Sequence, residues 1–250
     1  MLKIGIIGGS GLDDPRILKD TVELKVMTLY GEPSSALTKG FIEDKEVVIL
    51  ARHGRQHTFP PTQVNFRANI HALKEQNCTH ILATTACGSL RDGIKRGDIV
   101  ILDQFIDFTR FRPITFFESF LPGAENAKHT PMADPFSEEL RGKLIDNAKR
   151  LQLSYHERGT VITIEGPRFS TRAESNMYRI WGADVVNMSI APEAILANEM
   201  DIPYAAVAMS TDYDAWKTDE APVEWSEVLH IFEANVEHVK TLLLETIRSL

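Results

Sequence analysis

Leu2-Lys-Ile-Gly-Ile-Ile-Gly-Gly-Ser-Gly11 is an apolar run that breaks off in a glycine-rich turn. A run this short and this uniformly apolar reads as a strand buried on both faces, with the glycines marking a tight turn at its tip. The theme returns at residues 47–51 (VVILA), 80–84 (HILAT), 98–102 (DIVIL), 159–164 (GTVITI) and 205–209 (AAVAM). Between these runs, apolar residues recur every three or four positions, as Phe66, Ile70 and Leu73 do within 65–76 and Leu140, Leu144 and Ala148 within 137–151. That spacing places them on one face of a helix. Further helices are expected from near Arg172, over 192–200, and over 224–250, where Val228, Leu229, Phe232, Val236, Val239 and Leu243 form a stripe suited to core packing. Strand and helix alternate, no internal repeat or long linker interrupts them, and the expectation is a single α/β domain over residues 1–250. The longest irregular stretch, roughly 109–132 with Pro113, Pro122 and Pro131, reads as one functional loop.

Composition excludes several classes. With 43% hydrophobic and 25% charged residues among 250, the chain has the make-up of an ordinary soluble protein. The apolar segments are too short and too interrupted for a membrane span, and the first residues enter a strand pattern directly instead of a basic leader. Cys78 and Cys87 have no CxxC spacing, so a reduced cytoplasmic setting is expected. The net charge of −8 opposes attraction to nucleic acid or anionic lipid. Any anion handled here must be captured by a locally built pocket.

The chemistry-bearing residues cluster just past the strands. Gly8-Gly-Ser-Gly11 invites a dinucleotide reading, but the third glycine of that fingerprint is replaced by Asp14, an anion where a pyrophosphate would lie. What remains is a turn whose amides and Ser10 hydroxyl suit a smaller anion, or glycines that only permit positive φ. After residues 47–51 come Arg52, His53 and His57. Arg52 presents a planar fork of donors for phosphate and the histidines can donate or carry protons, or the cluster is a solvated charged loop. Thr85 and Ala86, in the small-residue segment 83–89, let a ligand approach the backbone, whereas Cys87 has no basic neighbour to activate it and reads as structural. Phe169 offers a platform for a flat base or a core aromatic. Asn187, Met188 and Ser189 follow another short apolar strand, at 183–186.

The segment 210–216 (STDYDAW) carries the sharpest signal. If the backbone stays extended, Asp212 and Asp214 face the same side. An aminopurine offers an acceptor at N7 and donor hydrogens at N6, so one protonated and one ionised carboxyl would serve it, protonation at N7 making adenine a better leaving group. A helix cap is the alternative. A metal pair is disfavoured, since no His or third carboxylate is spaced as a ligand, and no metal is expected.

Taken in order, IIGGSGL (6–12), LARHGRQH (50–57), TTACGSLRDG (84–93), DQFIDFT (103–109), HTPMADPF (129–136), TIEGPRFSTRAES (163–175), VVNMS (185–189) and STDYDAWK (210–217) closely resemble the methylthioadenosine phosphorylase branch of the trimeric purine nucleoside phosphorylase family. The resemblance runs over nearly the whole chain. It implies a central, mostly parallel mixed β-sheet flanked by helices, and a phosphate pocket built from Ser10, Arg52, His53, Thr85, Ala86 and Ser189. It also implies nucleoside contacts from Phe169, Asn187, Met188, Asp212 and Asp214, with Met188 against the ribose and the Asp pair favouring adenine over 6-oxopurines. His57, and His129 from a neighbouring subunit of a homotrimer, are implied near the 5′ group. The implied reaction uses inorganic phosphate as co-substrate and no other cofactor. Animal-type members carry a further C-terminal segment that encloses the methylthio group, so a chain stopping at Leu250 is expected to tolerate adenosine. At position 10, Ser stands where Thr is frequent, which keeps the hydroxyl. The competing expectations are a phosphorylase for adenosine, inosine or methylthioinosine, an NAD-dependent oxidoreductase, and a nucleoside-binding sensor.

Overall fold

The computed structural model describes residues 2–8, 15–120, 122–123, 127–220 and 223–250. Its strands are β1 Lys3–Gly8, β2 Lys19–Leu24, β3 Leu37–Ile42, β4 Lys45–Ala51, β5 His80–Ser89, β6 Ile99–Ile101, β7 Gln104–Phe108, β8 Tyr155–His156, β9 Thr160–Ile164, β10 Val185–Asn187 and β11 Tyr204–Asp212. Among the described residues five α-helices accompany them: α1 Phe66–Glu75, α2 Glu138–Arg150, α3 Arg172–Ile180, α4 Ile190–Glu199 and α5 Trp225–Ser249. All strands join one mixed, mostly parallel sheet, with the path β2-β3-β4-β1-β5-β10-β9-β7 and a branch in which β11 pairs with β5 and β6.

Period-2 alternation divides the core. Ile7, Val48, Leu50, Ile81, Ala83, Ala206 and Ala208 point to the face covered by α1 and α4. Their neighbours Ile6, Val47, Ile49, Leu82, Ala205 and Val207 point to the face covered by α2 and α5. Burial on both sides explains why these strands are apolar at every position. A third cluster, with Ile162, Ile164 and Val186, seats α3 through Tyr178 on the outer strands. The helix starts follow local chemistry: Asn65, Ser137 and Thr171 each accept a backbone N–H, and Thr171 forms a full capping box with Glu174.

The feature that creates a site is the long strand β5. Its ladder with β1 ends at Ala83, whereas its antiparallel ladder with β10 begins at Gly88. Between them, along Thr84–Cys87, one edge of β5 is left without a strand partner while the other edge continues to pair with β11. The gap lies near the tips of β1, β4, β10 and β11, which is where α/β folds place ligands. The loop expected over 109–132 contains no helix or strand among its described residues.

Candidate active site

A cavity of about 480 Å³ opens at this gap. It receives Arg52, His53, His57, Thr85 and Ala86 from one side and Phe169, Asn187, Met188, Ser189, Asp212 and Asp214 from the other. Of the site residues expected from sequence, two stand apart. Ser10 lies outside the described residues. His129 does not line the cavity of its own chain, and its ring instead meets Phe120 edge-on at 5.6 Å.

The chain reverses directly after β4. Arg52 N–H donates to Gly8 O at 3.0 Å, tying two strand tips together, and Gly54 N–H donates back to Ala51 O at 3.1 Å. Gly54 sits at φ +76, where a Cβ would also press on the Phe59 ring, so the turn requires glycine. The Arg52 side chain does not enter a solvated loop. It is 1% exposed and turns inward, its Nε and Nη2 donating to the two carboxylate oxygens of Glu193 at 2.5 and 3.0 Å. Nη1 donates to Thr84 O at 2.8 Å, inside the unpaired stretch of β5. Tyr204 Oη donates to Glu193 Oε2 at 2.8 Å from beneath. Burial opposes the charge on Arg52, but the facing carboxylate outweighs it and holds the guanidinium above its ordinary pKa. A guanidinium has five N–H groups; three are engaged here, so two remain without a partner among the described residues.

Next to it stands His53. Its Nδ1 lies 2.9 Å from Phe59 O, and because a carbonyl only accepts, Nδ1 carries the proton. Burial, reinforced by the Arg52 charge, pulls its pKa down to about 4, so the ring is neutral at physiological pH. Across the gap, the Thr85 hydroxyl donates to Ala86 O at 2.9 Å and accepts from Asn187 Nδ2 at 3.3 Å. Asn187 is fixed in turn by the Thr163 hydroxyl at 2.8 Å, which itself accepts Ala191 N–H at 3.0 Å. Asn187 thereby holds the Thr85 hydroxyl in place. Ser189 is the N-cap residue of α4 but makes no capping bond, leaving a buried hydroxyl beside the helix's N-terminal amides.

The other end of the cavity is acidic. β11 shifts register between Ser210 and Asp212, and the chain turns so that Asp214 lies at φ +48. The extended backbone expected for this pair is thus replaced by a turn in which Asp214 N–H donates to Asp212 Oδ1 at 2.8 Å. Both carboxylates still line the cavity, for a different local reason. Asp212 Oδ2 accepts the Thr211 hydroxyl at 2.9 Å. Burial raises the Asp212 pKa against these hydrogen bonds, and the Asp214 charge adds to the rise. Burial raises Asp214 too, with Ser175 and Ser170 acting in the opposite direction. Asp214 Oδ2 and the Ser170 and Ser175 hydroxyls are buried, and none completes a well-formed hydrogen bond. Gly88 makes room for the pair, since a Cβ there would lie 2.8 Å from Asp212 Oδ1. Burial, with Asp212 adding to it, lifts the Cys87 thiol well above its ordinary value, so this cysteine is the inert structural group expected.

Several contributors escaped the sequence reading. Glu193 is the one polar residue in the apolar run 190–197 that opens α4, and a lone carboxylate there was its only signal. Arg112, from the long loop, is buried and donates to Met188 O at 2.5 Å and Glu165 O at 2.7 Å, bracing the strand end that carries Met188. The stripe of α5 assigned to packing also reaches the cavity through Val228 and Phe232, and Trp225 joins them, its ring stacked on His57 at 6.0 Å. Among the described residues no group of three or more His, Cys, Asp or Glu is placed to hold a metal ion. No helix among them is long and apolar enough to cross a membrane.

Comparison with known proteins places the chain in a family. The model of the phosphorylase superfamily matches residues 3–248. The S-methyl-5'-thioadenosine phosphorylase of Xenopus tropicalis is 56% identical over 250 residues, covering 98% of this chain and 88% of that protein. That of Danio rerio is 53% identical over 246 residues, with the same coverages. Among solved structures, methylthioadenosine phosphorylase from Schistosoma mansoni in complex with adenine superposes with a TM-score of 0.92 at 43% identity, covering 99% of this chain and 91% of that one. A variant of the Schistosoma mansoni adenosine/methylthioadenosine phosphorylase in complex with methylthioadenosine gives 0.91 at 42%, with the same coverages. Matched over nearly its whole length by the family model and by relatives at such identity, this chain belongs to the phosphorylase superfamily and, within it, to the S-methyl-5'-thioadenosine phosphorylases.

Proposed function

We propose that this chain cleaves 5′-methylthioadenosine with inorganic phosphate, yielding adenine and 5-methylthioribose 1-phosphate. One observation carries the reading: a single cavity has fixed hydrogen-bond donors at one end and a buried carboxyl pair at the other, with apolar walls between. Phosphate is held by the free N–H groups of Arg52, the hydroxyls of Thr85 and Ser189, the Ala86 backbone and His53; the family resemblance adds Ser10, which lies outside the described residues. Asn187 supports this end through Thr85. Phe169 and Met188 flank the base and ribose.

A phosphate oxygen attacks C1′ as the bond to N9 breaks, and the electron pair of that bond leaves with the base. Asp212, whose burial favours the protonated form, delivers its proton to N7, while Asp214 accepts the N6 hydrogens. Phosphate charge stabilises the developing oxocarbenium ion, so positioning and electrostatics supply the catalysis and no covalent enzyme intermediate forms. Phosphate is a co-substrate, and no cofactor or metal takes part.

His57, Trp225, Val228 and Phe232 form the wall that receives the methylthio group. The active unit is a homotrimer in the cytoplasm, in which His129 of one subunit completes the 5′ end of its neighbour's site. Supporting this are the exposed apolar side chains Phe111, Phe120, Ile180 and Trp181, which a partner would cover. Light scattering reads the assembly state. The function itself is tested by initial rates of base release from 5′-methylthioadenosine, adenosine and inosine at one phosphate concentration. Adenine release from the first is expected to lead, adenosine to follow, and hypoxanthine to trail; faster release of hypoxanthine than of adenine would overturn the assignment.

A further inference from the structure

His53 faces an anion site with an unusual electrical character. Among the described residues that line it, the cation Arg52 is already matched by Glu193 through two hydrogen bonds, so these residues bring little net charge with which to hold a dianion. His53 adds none. With its Nδ1–H committed to Phe59 O at 2.9 Å, the remaining ring nitrogen, Nε2, carries a lone pair. Phe59 N–H donates to His53 O at 3.0 Å, so the same two residues bind each other twice and hold the ring's setting. A second proton on the ring is opposed by burial and by the charged or chargeable neighbours Arg52, His57 and Arg112.

A bare lone pair pointed at a phosphate oxygen repels it unless that oxygen carries a hydrogen. We propose that His53 reads the proton on the co-substrate: Nε2 accepts a hydrogen bond from the P–OH of hydrogen phosphate, and the site thereby rejects oxyanions of similar size and charge that lack a proton. This rests on the placement of phosphate proposed above. It also gives the bound anion an orientation. The protonated oxygen is held at His53, and the three unprotonated oxygens are left for Arg52, for the hydroxyls of Thr85 and Ser189, and for attack on C1′. Phosphate-binding sites in acidic proteins gain selectivity from such an acceptor, because an unmatched buried acceptor is costly to place against a deprotonated anion.

The test is an oxyanion panel on the intact protein, with adenine release from 5′-methylthioadenosine as readout. Sulfate and monofluorophosphate, dianions without a proton near neutral pH, are titrated as inhibitors against phosphate, and arsenate is offered as a protonated alternative. The unmodified protein is expected to bind phosphate about 10-fold or more tightly over sulfate, the scale of one hydrogen bond to a charged group, and to accept arsenate. In His53→Ala the ratio of sulfate Ki to phosphate KM should collapse toward unity, chiefly through a rise in KM for phosphate. In His53→Lys, which replaces the acceptor by a donor, sulfate should inhibit more strongly than it does the unmodified protein. Sulfate and monofluorophosphate competing as tightly as phosphate, or a ratio unchanged in His53→Ala, would overturn the role of His53 while leaving phosphorolysis intact. Adenine release that does not require phosphate would overturn the phosphorylase reading, and this inference with it. Because the panel is decisive on the unmodified protein, the inference stays open to refutation even if neither variant folds.

Discussion

The two ends of the cavity are both buried and both polar, yet they are built on opposite plans. At the end proposed for phosphate, Arg52, Glu193 and Tyr204 form a network in which both Glu193 oxygens are matched by the protein and two Arg52 N–H groups are left over among the described residues. At the base end, Asp214 Oδ2 and the hydroxyls of Ser170 and Ser175 are buried without completed hydrogen bonds, and the backbone carrying Asp214 lies in the left-handed region. The first end is braced by an ion pair within the protein; the second presents a carboxylate carried on left-handed backbone. The difference follows from what each must bind. Orthophosphate is small, and its site must stay rigid to aim an oxygen at C1′. A purine brings its own donors and acceptors, and the Asp212 and Asp214 carboxyls that line the cavity can meet them when it enters.

That contrast can be broken most severely at Glu193. In Glu193→Ala the buried guanidinium loses its counter-charge, and a loss of about 3–5 kcal/mol in stability is expected from chemical denaturation, the range for stranding one member of a buried pair. Where the variant folds, KM for phosphate should rise more than kcat falls. At the opposite end, Asp212→Asn should keep the fold but lower turnover on the order of 10²-fold, as for loss of a general acid. The pH profile sharpens this. Burial raises the Asp212 pKa, so the protonated form persists to higher pH than in a free carboxylic acid and is lost as pH rises. The alkaline limb of kcat for the unmodified protein should therefore be missing from Asp212→Asn. A limb that survives the substitution would assign the proton to another group.

A smaller change is expected from Asp214→Asn. An amide can donate to a 6-oxo group, so the ratio of hypoxanthine to adenine release should rise by about 10-fold, within the range set by polar matching in a buried site. The smallest effect is Thr171→Ala, which removes the capping box of α3 beside Phe169, Ser170 and Ser175. A loss of about 1 kcal/mol is expected by thermal unfolding, with KM for the nucleoside rising and KM for phosphate unchanged. If the two ends are as independent as their networks, the effects of Thr171→Ala and Glu193→Ala should add.

The parts of this architecture that were legible in the sequence are those whose cause is local. Strands buried on both faces are apolar at every position, and so β1, β4, β5, β9 and β11 stood out. β2 did not, because its residues KDTVEL are almost all exposed and their charges mask the strand. Strand-tip position, together with the residue types placed there and the family resemblance, pointed to Arg52, Thr85, Asn187 and Asp212. What stayed hidden depends on contacts between distant segments. The residues around Arg52 left a phosphate donor and a solvated loop both open, because the carboxylate that buries it lies 141 residues away. Arg112 was one residue in an irregular loop, and its role rests on carbonyls at Ile164, Glu165 and Met188. The α5 stripe was correctly apolar, but periodicity cannot separate a face that covers a sheet from one that also walls a cavity.

In the proposed reaction phosphate, not water, is the nucleophile. Reaction of 5′-methylthioadenosine in phosphate-free buffer and in phosphate, with the sugar product followed by phosphorus NMR, tests this most directly. Adenine should appear only when phosphate is present and in equal amount to a new sugar 1-phosphate resonance. Adenine formed at the same rate without phosphate, and with no such resonance, would contradict it.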